Sequence, residues 1–412
     1  MEFNAYFFII LLTVVGLYKL DLFSEILNMK ALRSEPPEDF KDVYDADKYA
    51  ESQEYTKVKT YFGIIESTFS LVVFLLFWLL GGFAWLDGIV RGYVEAPVLR
   101  GLLYVCLLYL GNMILSLPFE IHNTFKIEER FGFNKTTPKT FVIDHLKGLA
   151  LGAILGLPIL ALILWLFGKW DLAWLYAFIL VTVFSLVLSY VAPTWIMPLF
   201  NKFEPLEDGE LKDEIHKMAA KCDFPLTEVS IMDGSKRSAK SNAFFTGFGK
   251  NKKIALFDTL VEKHSVAELV AVLAHEIGHY KRKHIVQSMV LGILQTGITF
   301  YLLSLFLNNE GLFAAFGVPE TSVYLSLIFF GLLYTPISKI ISIFMTMLSR
   351  KNEFEADAYA AEVTGEPETM ITALKKLSKD NLSNLTPHPF YVFLNYSHPP
   401  VPERIAALRS GT

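Results

Sequence analysis

The chain has 412 residues and a formal net charge of −5, with 53% hydrophobic, 14% aromatic and only 19% charged residues. Mean hydropathy is +0.39. A soluble domain carries nearer a quarter charged residues, so the composition points to a membrane protein, and the acidic balance gives no electrostatic reason to expect nucleic acid.

The first apolar stretch has only Glu2 as a preceding charge. It therefore lacks the basic flank and small-residue cleavage site of a secretory signal and reads as a retained membrane helix. A bilayer core needs roughly 20 mostly apolar helical residues. Seven runs meet that length, at about 5–23, 63–86, 98–118, 146–168, 172–194, 285–307 and 322–348. Lys339 interrupts the last, and an intramembrane lysine belongs in the bundle interior or near an interface. Between the first two runs, residues 34–56 are rich in acids, Pro and Tyr and read as a solvated connector.

Beyond the fifth run the pattern changes. Residues 208–221 suggest an amphipathic helix, and TEVSIMD, SNAFFTGF and KKIALFD read as short strands, with GKN at 249–251 as a hairpin turn. Ser265 and Glu268 have capping-box spacing ahead of an apolar-periodic run reaching about Lys283. Cys106 and Cys222 are the only cysteines, too far apart for a CxxC metal site. The chain thus divides into a membrane region, 1–194, and a second region, 195–412, that includes the last two spans.

Lysine and arginine set the expected orientation. Segment 24–62 holds Lys30, Arg33, Lys41, Lys48, Lys57 and Lys59, and segment 119–145 holds Lys126, Arg130, Lys135 and Lys139. The long stretches 195–284 and 349–412 are basic as well, whereas 1–4 and 308–321 carry no Lys or Arg. The N-terminus is therefore expected outside and the C-terminus in the cytoplasm.

His275-Glu276-Ile277-Gly278-His279 falls within the capped helix. Residues four apart share a helical face, so both imidazoles can hold one zinc, and Glu276 beside them can take a proton from the attacking water. A catalytic zinc keeps three protein ligands. The continuation Tyr280-Lys281-Arg282-Lys283-His284 fails the metzincin pattern, and His284, five residues past His279, leaves the ligand face. The better third ligand lies in Asn352-Glu353-Phe354-Glu355-Ala356-Asp357. Glu353 and Asp357 share a face while Glu355 points elsewhere. Glu353 is the expected ligand, and Asp357 the acceptor that orients a ligating histidine. The remaining histidines, at 122, 145, 216, 264 and 388, are scattered. His398 opens His-Pro-Pro-Val-Pro-Glu-Arg, which ends in Arg404. A cation near the metal can stabilise an oxyanion, and a proline-rich turn before a helix is the plainer alternative.

HEIGH at 275–279, NEFEAD at 352–357, SNAFFTGFGKNKKIALFDTL at 241–260, SHPPVPERI at 397–405 and NTFKIEERFGFNKTTPKTFVIDHLKG at 123–148 resemble the type I CAAX prenyl proteases. The resemblance spans about 50–410. It implies a mainly α-helical multi-pass protein, with seven membrane helices around a chamber and a cytoplasmic α+β domain of gluzincin-like type. It also implies that Asn242, Ala243 and Phe244 hold the substrate backbone and that His398 and Arg404 line the active site. The expected reaction is peptide hydrolysis with one Zn²⁺ per chain, on a peptide or protein that is lipidated or otherwise hydrophobic, in contact with membrane lipid. The chain's shortness and its Arg409-Ser-Gly-Thr ending favour a bacterial plasma membrane over the endoplasmic reticulum. Two rivals stand beside this reading. One is a quality-control protease of the heat-shock type. The other is a scaffold with a structural zinc, against which an intact Glu276 argues.

Overall fold

The computed structural model describes residues 1–246 and 252–411. Among them, seven helices are long and apolar enough to cross a membrane: Ala5–Lys30, Ala46–Leu79, Pro97–Glu128, Pro138–Phe167, Ala173–Leu199, His284–Phe306 and Val323–Thr364. Leu12, Ile65, Ile114, Ile154, Leu294 and Phe344 all stand exposed on these helices, as side chains that meet lipid rather than a protein core do. Where the helices do meet, they pack through aromatic rings. Phe316 and Phe329 stack at 3.8 Å, with Trp78 and Phe83 against Phe316.

Two expectations are corrected. The second span starts at Ala46, with the Asp45 side chain accepting from Lys48 N, and stops at Leu79. The apolar run continued to 86, but the backbone turns at Gly81 with φ +79, and a Cβ on Gly82 would lie 2.6 Å from the Phe77 carbonyl oxygen. A separate helix, Gly82–Tyr93, follows. Nor is 34–56 a solvated connector. Phe40, Tyr44 and Tyr49 are buried with Ala271, Met370, Ile371, Leu374, Ile405 and Leu408, and the Tyr44 hydroxyl donates to the Ser378 carbonyl at 2.9 Å. Lys339 pairs with Asp21 of the first helix at 3.1 Å.

The domain beyond the fifth span is built on a four-stranded sheet in the order β1 (Phe203–Pro205), β2 (Leu226–Met232), β4 (Lys252–Phe257), β3 (Ala243–Thr246). β2 and β4 run parallel, and the other neighbours are antiparallel, which leaves β3 at an edge. The proposed GKN turn lies outside the described residues. The helix Glu210–Lys221 and the helix Val266–Lys281 cover the sheet, burying Ile215, Val229, Ile254, Leu256, Leu269, Leu273 and Ile277 together.

The 123–148 segment ties the membrane half to this domain. Lys135 N donates to Arg237 O and Ala239 N to Phe133 O, both at 3.0 Å, and Arg237 grips both carboxylate oxygens of Asp144 at 2.7 and 2.9 Å. This contact lands directly before Ser241 and Asn242, where the chain enters β3. The final helix completes the frame. Its 42 residues span about 63 Å at 1.5 Å per residue, about twice a bilayer's hydrocarbon thickness. The excess carries residues 352–357 into the domain.

Candidate metal centre

The helix Val266–Lys281 begins with the expected capping box, the Ser265 side chain accepting from Glu268 N and Glu268 accepting from Ser265 N. Leu269, Leu273 and Ile277 recur at intervals of four and face the sheet. His275 and His279 recur at the same interval on a neighbouring face and meet the final helix. That approach depends on Gly278, where a Cβ would lie 3.1 Å from both the Cα and the carbonyl oxygen of Ala356. Backbone cannot swing aside as a side chain does, so a larger residue here would push the two helices apart.

The close approach brings three donor groups together. His275 Nε2 lies 3.1 Å from His279 Nε2 and 3.4 Å from Glu353 Oε2, and His279 Nε2 lies 3.3 Å from Glu353 Oε1. Ligands at about 2.0–2.1 Å on a tetrahedral ion stand about 3.3 Å from one another, so this spacing fits a zinc ion. The donor chemistry fits as well. His275 Nδ1 donates to Asp357 Oδ1 at 2.8 Å, which leaves its Nε2 with a lone pair turned toward the other two donors. His275 and Glu353 are buried, and among the described residues the three form a group able to hold a metal.

The electrostatics favour a cation at this point. Burial works against charge on His275, yet hydrogen bonds to Asp357 and Glu353 push its imidazole up to about 9, and a metal bound here would take the place of the Nε2 proton. Burial also pushes the Glu276 carboxyl up, against the opposing influence of His275 and His279. A raised carboxyl is better matched to accepting and returning a proton near neutral pH.

Arg404, on the helix Val401–Ser410, is buried and committed to carboxylates. Its Nε and one terminal nitrogen fork onto Asp357 at 2.7 and 2.6 Å, and its other terminal nitrogen lies 3.2 Å from Glu353. His398 is different: its side chain is 64% exposed, with Nε2 3.3 Å from Glu353 Oε1. Asn242 accepts from Ala243 N through its own side chain at 2.8 Å, a local turn that leads into β3. A cavity of about 340 Å³ is bounded by Asn242, Ala243, His275, Glu276, Glu353, His398 and Arg404 among others. A second, of about 560 Å³, is also bounded by Glu276 and His279 and runs between the last two membrane helices past Ser288, Met345 and Ser349. Phe244 does not line either cavity; its ring meets Phe257 across β3 and β4 at 6.3 Å.

One residue set aside on helical spacing belongs here. His284 Nδ1 lies 3.0 Å from His279 Nδ1, and His284 Nε2 lies 3.1 Å from Glu355 Oε2. The helix ends at Lys281, Lys283 takes φ 60, and a new helix starts at His284, so the face count used across this segment does not hold. Only a glycine or asparagine would have flagged that turn in the sequence, and neither is present.

Comparison with known proteins gives matches along nearly the whole chain. Residues 25–202 match the family described as "CAAX prenyl protease N-terminal, five membrane helices", and residues 205–412 match peptidase family M48. The "Probable CAAX prenyl protease 1" of Schizosaccharomyces pombe is 34% identical over 96% of this chain and 86% of its own length. The "CAAX prenyl protease 1 homolog" of Arabidopsis thaliana is 35% identical over 96% of both chains. The crystal structure of S. mikatae Ste24p superposes with a TM-score of 0.93 at 33% identity, covering 99% of this chain and 100% of that one. The matches extend through the five-helix N-terminal region, which favours a prenyl-protease relative over the heat-shock type.

Proposed function

The chain belongs to the CAAX prenyl protease 1 group of peptidase family M48, and from that premise we propose how this integral-membrane metalloprotease works. His275, His279 and Glu353 hold one zinc, Glu276 is the general base, and β3 receives the substrate. The observation that carries the reading is the 3.1–3.4 Å triangle of donor atoms, with Glu276 and the edge strand bounding the same cavity.

A zinc ion held there would polarise the scissile carbonyl and lower the pKa of a water toward about 7. Glu276 takes the proton from the attacking water and returns it to the leaving amine. An extended peptide adds to the edge of the sheet at Asn242–Phe244, gaining main-chain hydrogen bonds largely independent of its sequence. His398, with an exposed imidazole beside Glu353, is placed to donate to the developing oxyanion. Arg404 acts one step back, holding Asp357 and Glu353 in register, because its guanidinium is already occupied by those two carboxylates.

The substrate class is a C-terminal peptide carrying a lipid. Support comes from the relatives' names and from the 560 Å³ cavity, which leads from the catalytic residues between two membrane helices. Purified protein should cleave a farnesylated peptide ending in a CAAX motif in preference to its unprenylated twin, and a chelator should stop the reaction until zinc is returned. Mass spectrometry of the products reads both points. Equal cleavage of the two peptides would remove the lipid from the proposal.

The basic segments are proposed to face the cytoplasm, with 1–4 and 308–321 opposite. His275 and Glu353 flank the last two spans, so the chain must return to the side it left. In a variant lacking Cys106 and Cys222, Glu310→Cys and Asp380→Cys should label from opposite faces with an impermeant thiol reagent. Labelling from one face would break the seven-span arrangement.

A further inference from the structure

The final helix carries three carboxylates within five residues, and each meets the histidines differently. Glu353 faces both Nε2 atoms, Asp357 takes His275 Nδ1, and Glu355 takes His284 Nε2. Among the described residues, His279 would have no support of its own unless His284 provides it. Resting on the metal reading above, we propose that His284 is a positioning residue for the metal. It accepts the Nδ1–H of His279 and donates its own Nε2–H to Glu355, so that His279 presents a bare Nε2.

The proton count allows one arrangement compatible with ligation. A 3.0 Å contact between two Nδ1 atoms needs one donor and one acceptor. If His284 were the donor, a neutral His279 would carry its proton on Nε2, pointed at His275 and Glu353, and could not bind a metal. With His279 as donor, His284 must hold its proton on Nε2, where Glu355 waits at 3.1 Å. The tautomers follow from the network. Both nitrogens of His284 are thus engaged, so it is not a fourth ligand. Its side chain is 6% exposed, while Glu355 is 39% exposed and 3.5 Å from Lys351, so the chain of bonds runs from the half-buried ligand to solvent.

The backbone is built for this contact. On a continuous helix, residue 284 would lie about 140° around from residue 279 and could not reach it. The left-handed Lys283 breaks the helix and returns the next residue toward the site. His284 also opens the sixth membrane span and Glu355 lies on the seventh, so the bonds tie His279 to the cytoplasmic-domain ends of both. His275, by contrast, is held by Asp357 and Arg404. The two ligands therefore have separate hydrogen-bond partners, Asp357 for His275 and His284 with Glu355 for His279.

The test uses zinc-loaded, full-length protein and measures zinc affinity against a competing chromophoric chelator. Asparagine can place an acceptor oxygen where His284 Nδ1 sits, whereas glutamine places its amide near the Nε2 position. His284→Ala and His284→Gln should loosen zinc about 10–100-fold, and His284→Asn should stay within several-fold of wild type. If His284→Ala does not fold, the asparagine–glutamine pair decides the point. Wild-type affinity in His284→Gln, or equal loss in all the folded variants, overturns the proposal while leaving the metal site intact. A wild-type chain that binds no zinc overturns the metal reading itself.

Discussion

Glu276→Gln should keep the fold and the zinc yet lower turnover about 10²–10⁴-fold, the usual worth of a positioned general base. The substitution preserves size and removes the group proposed to carry a proton between water and leaving amine. Glu276 lies where the two cavities meet, half-buried beside His275 and His279, and burial raises its carboxyl toward the range in which it can both accept and give a proton. An amide in its place still fills the space against the same neighbours. Substrate binding should change little, because β3 and the cavity walls are untouched, so the loss should appear in kcat rather than KM. Near-normal turnover in a zinc-replete Glu276→Gln enzyme would transfer the base role elsewhere, with His398 the nearest alternative.

His275→Ala and His279→Ala should each lose the zinc itself, and with it all measurable hydrolysis. Either change leaves two protein ligands where a catalytic zinc needs three. The two variants should differ in stability. His275 is buried, and its removal leaves Asp357 facing a cavity with Arg404 as its partner, while Glu353 keeps Arg404, His279 and His398. An uncompensated buried charge is costly, so His275→Ala should also unfold at lower temperature. His279 is only half-buried and its partner His284 retains Glu355, so His279→Ala should lose metal with less loss of stability. Elemental analysis after dialysis reads the first effect and thermal unfolding in detergent the second. Stoichiometric zinc in both variants would remove these residues from the ligand set.

Much of this arrangement was legible in the sequence because its determinants are local. The Ser265–Glu268 capping box sets the phase of one helix, and spacing of four places His275 and His279 together. The same spacing separates Glu353 and Asp357 correctly from Glu355. What stayed hidden depends on contacts between distant segments or on backbone breaks. The aromatics of 34–56 sit among acids and prolines, and only the folded chain brings Phe40, Tyr44 and Tyr49 against residues more than 200 positions away. The second span ran long because hydropathy continues smoothly across Gly81, where the backbone does not. His284 was set aside because helical periodicity was extended through Lys283, a left-handed residue with no glycine to announce it. Gly278 is the reverse case. It stands inside the motif, but its use, the close approach of Ala356, needs the partner helix to be seen.

The zinc site proposed here is open, with three protein ligands, two of them imidazoles. X-ray absorption at the zinc edge of the purified, substrate-free protein tests it most directly. The expected spectrum has a first shell of nitrogen and oxygen at about 2.0–2.1 Å, with the outer-shell signature of two histidines and no sulfur. That signature should fall to one histidine in any zinc retained by His279→Ala. A sulfur shell at about 2.3 Å, or four protein ligands with no place for water, would contradict it.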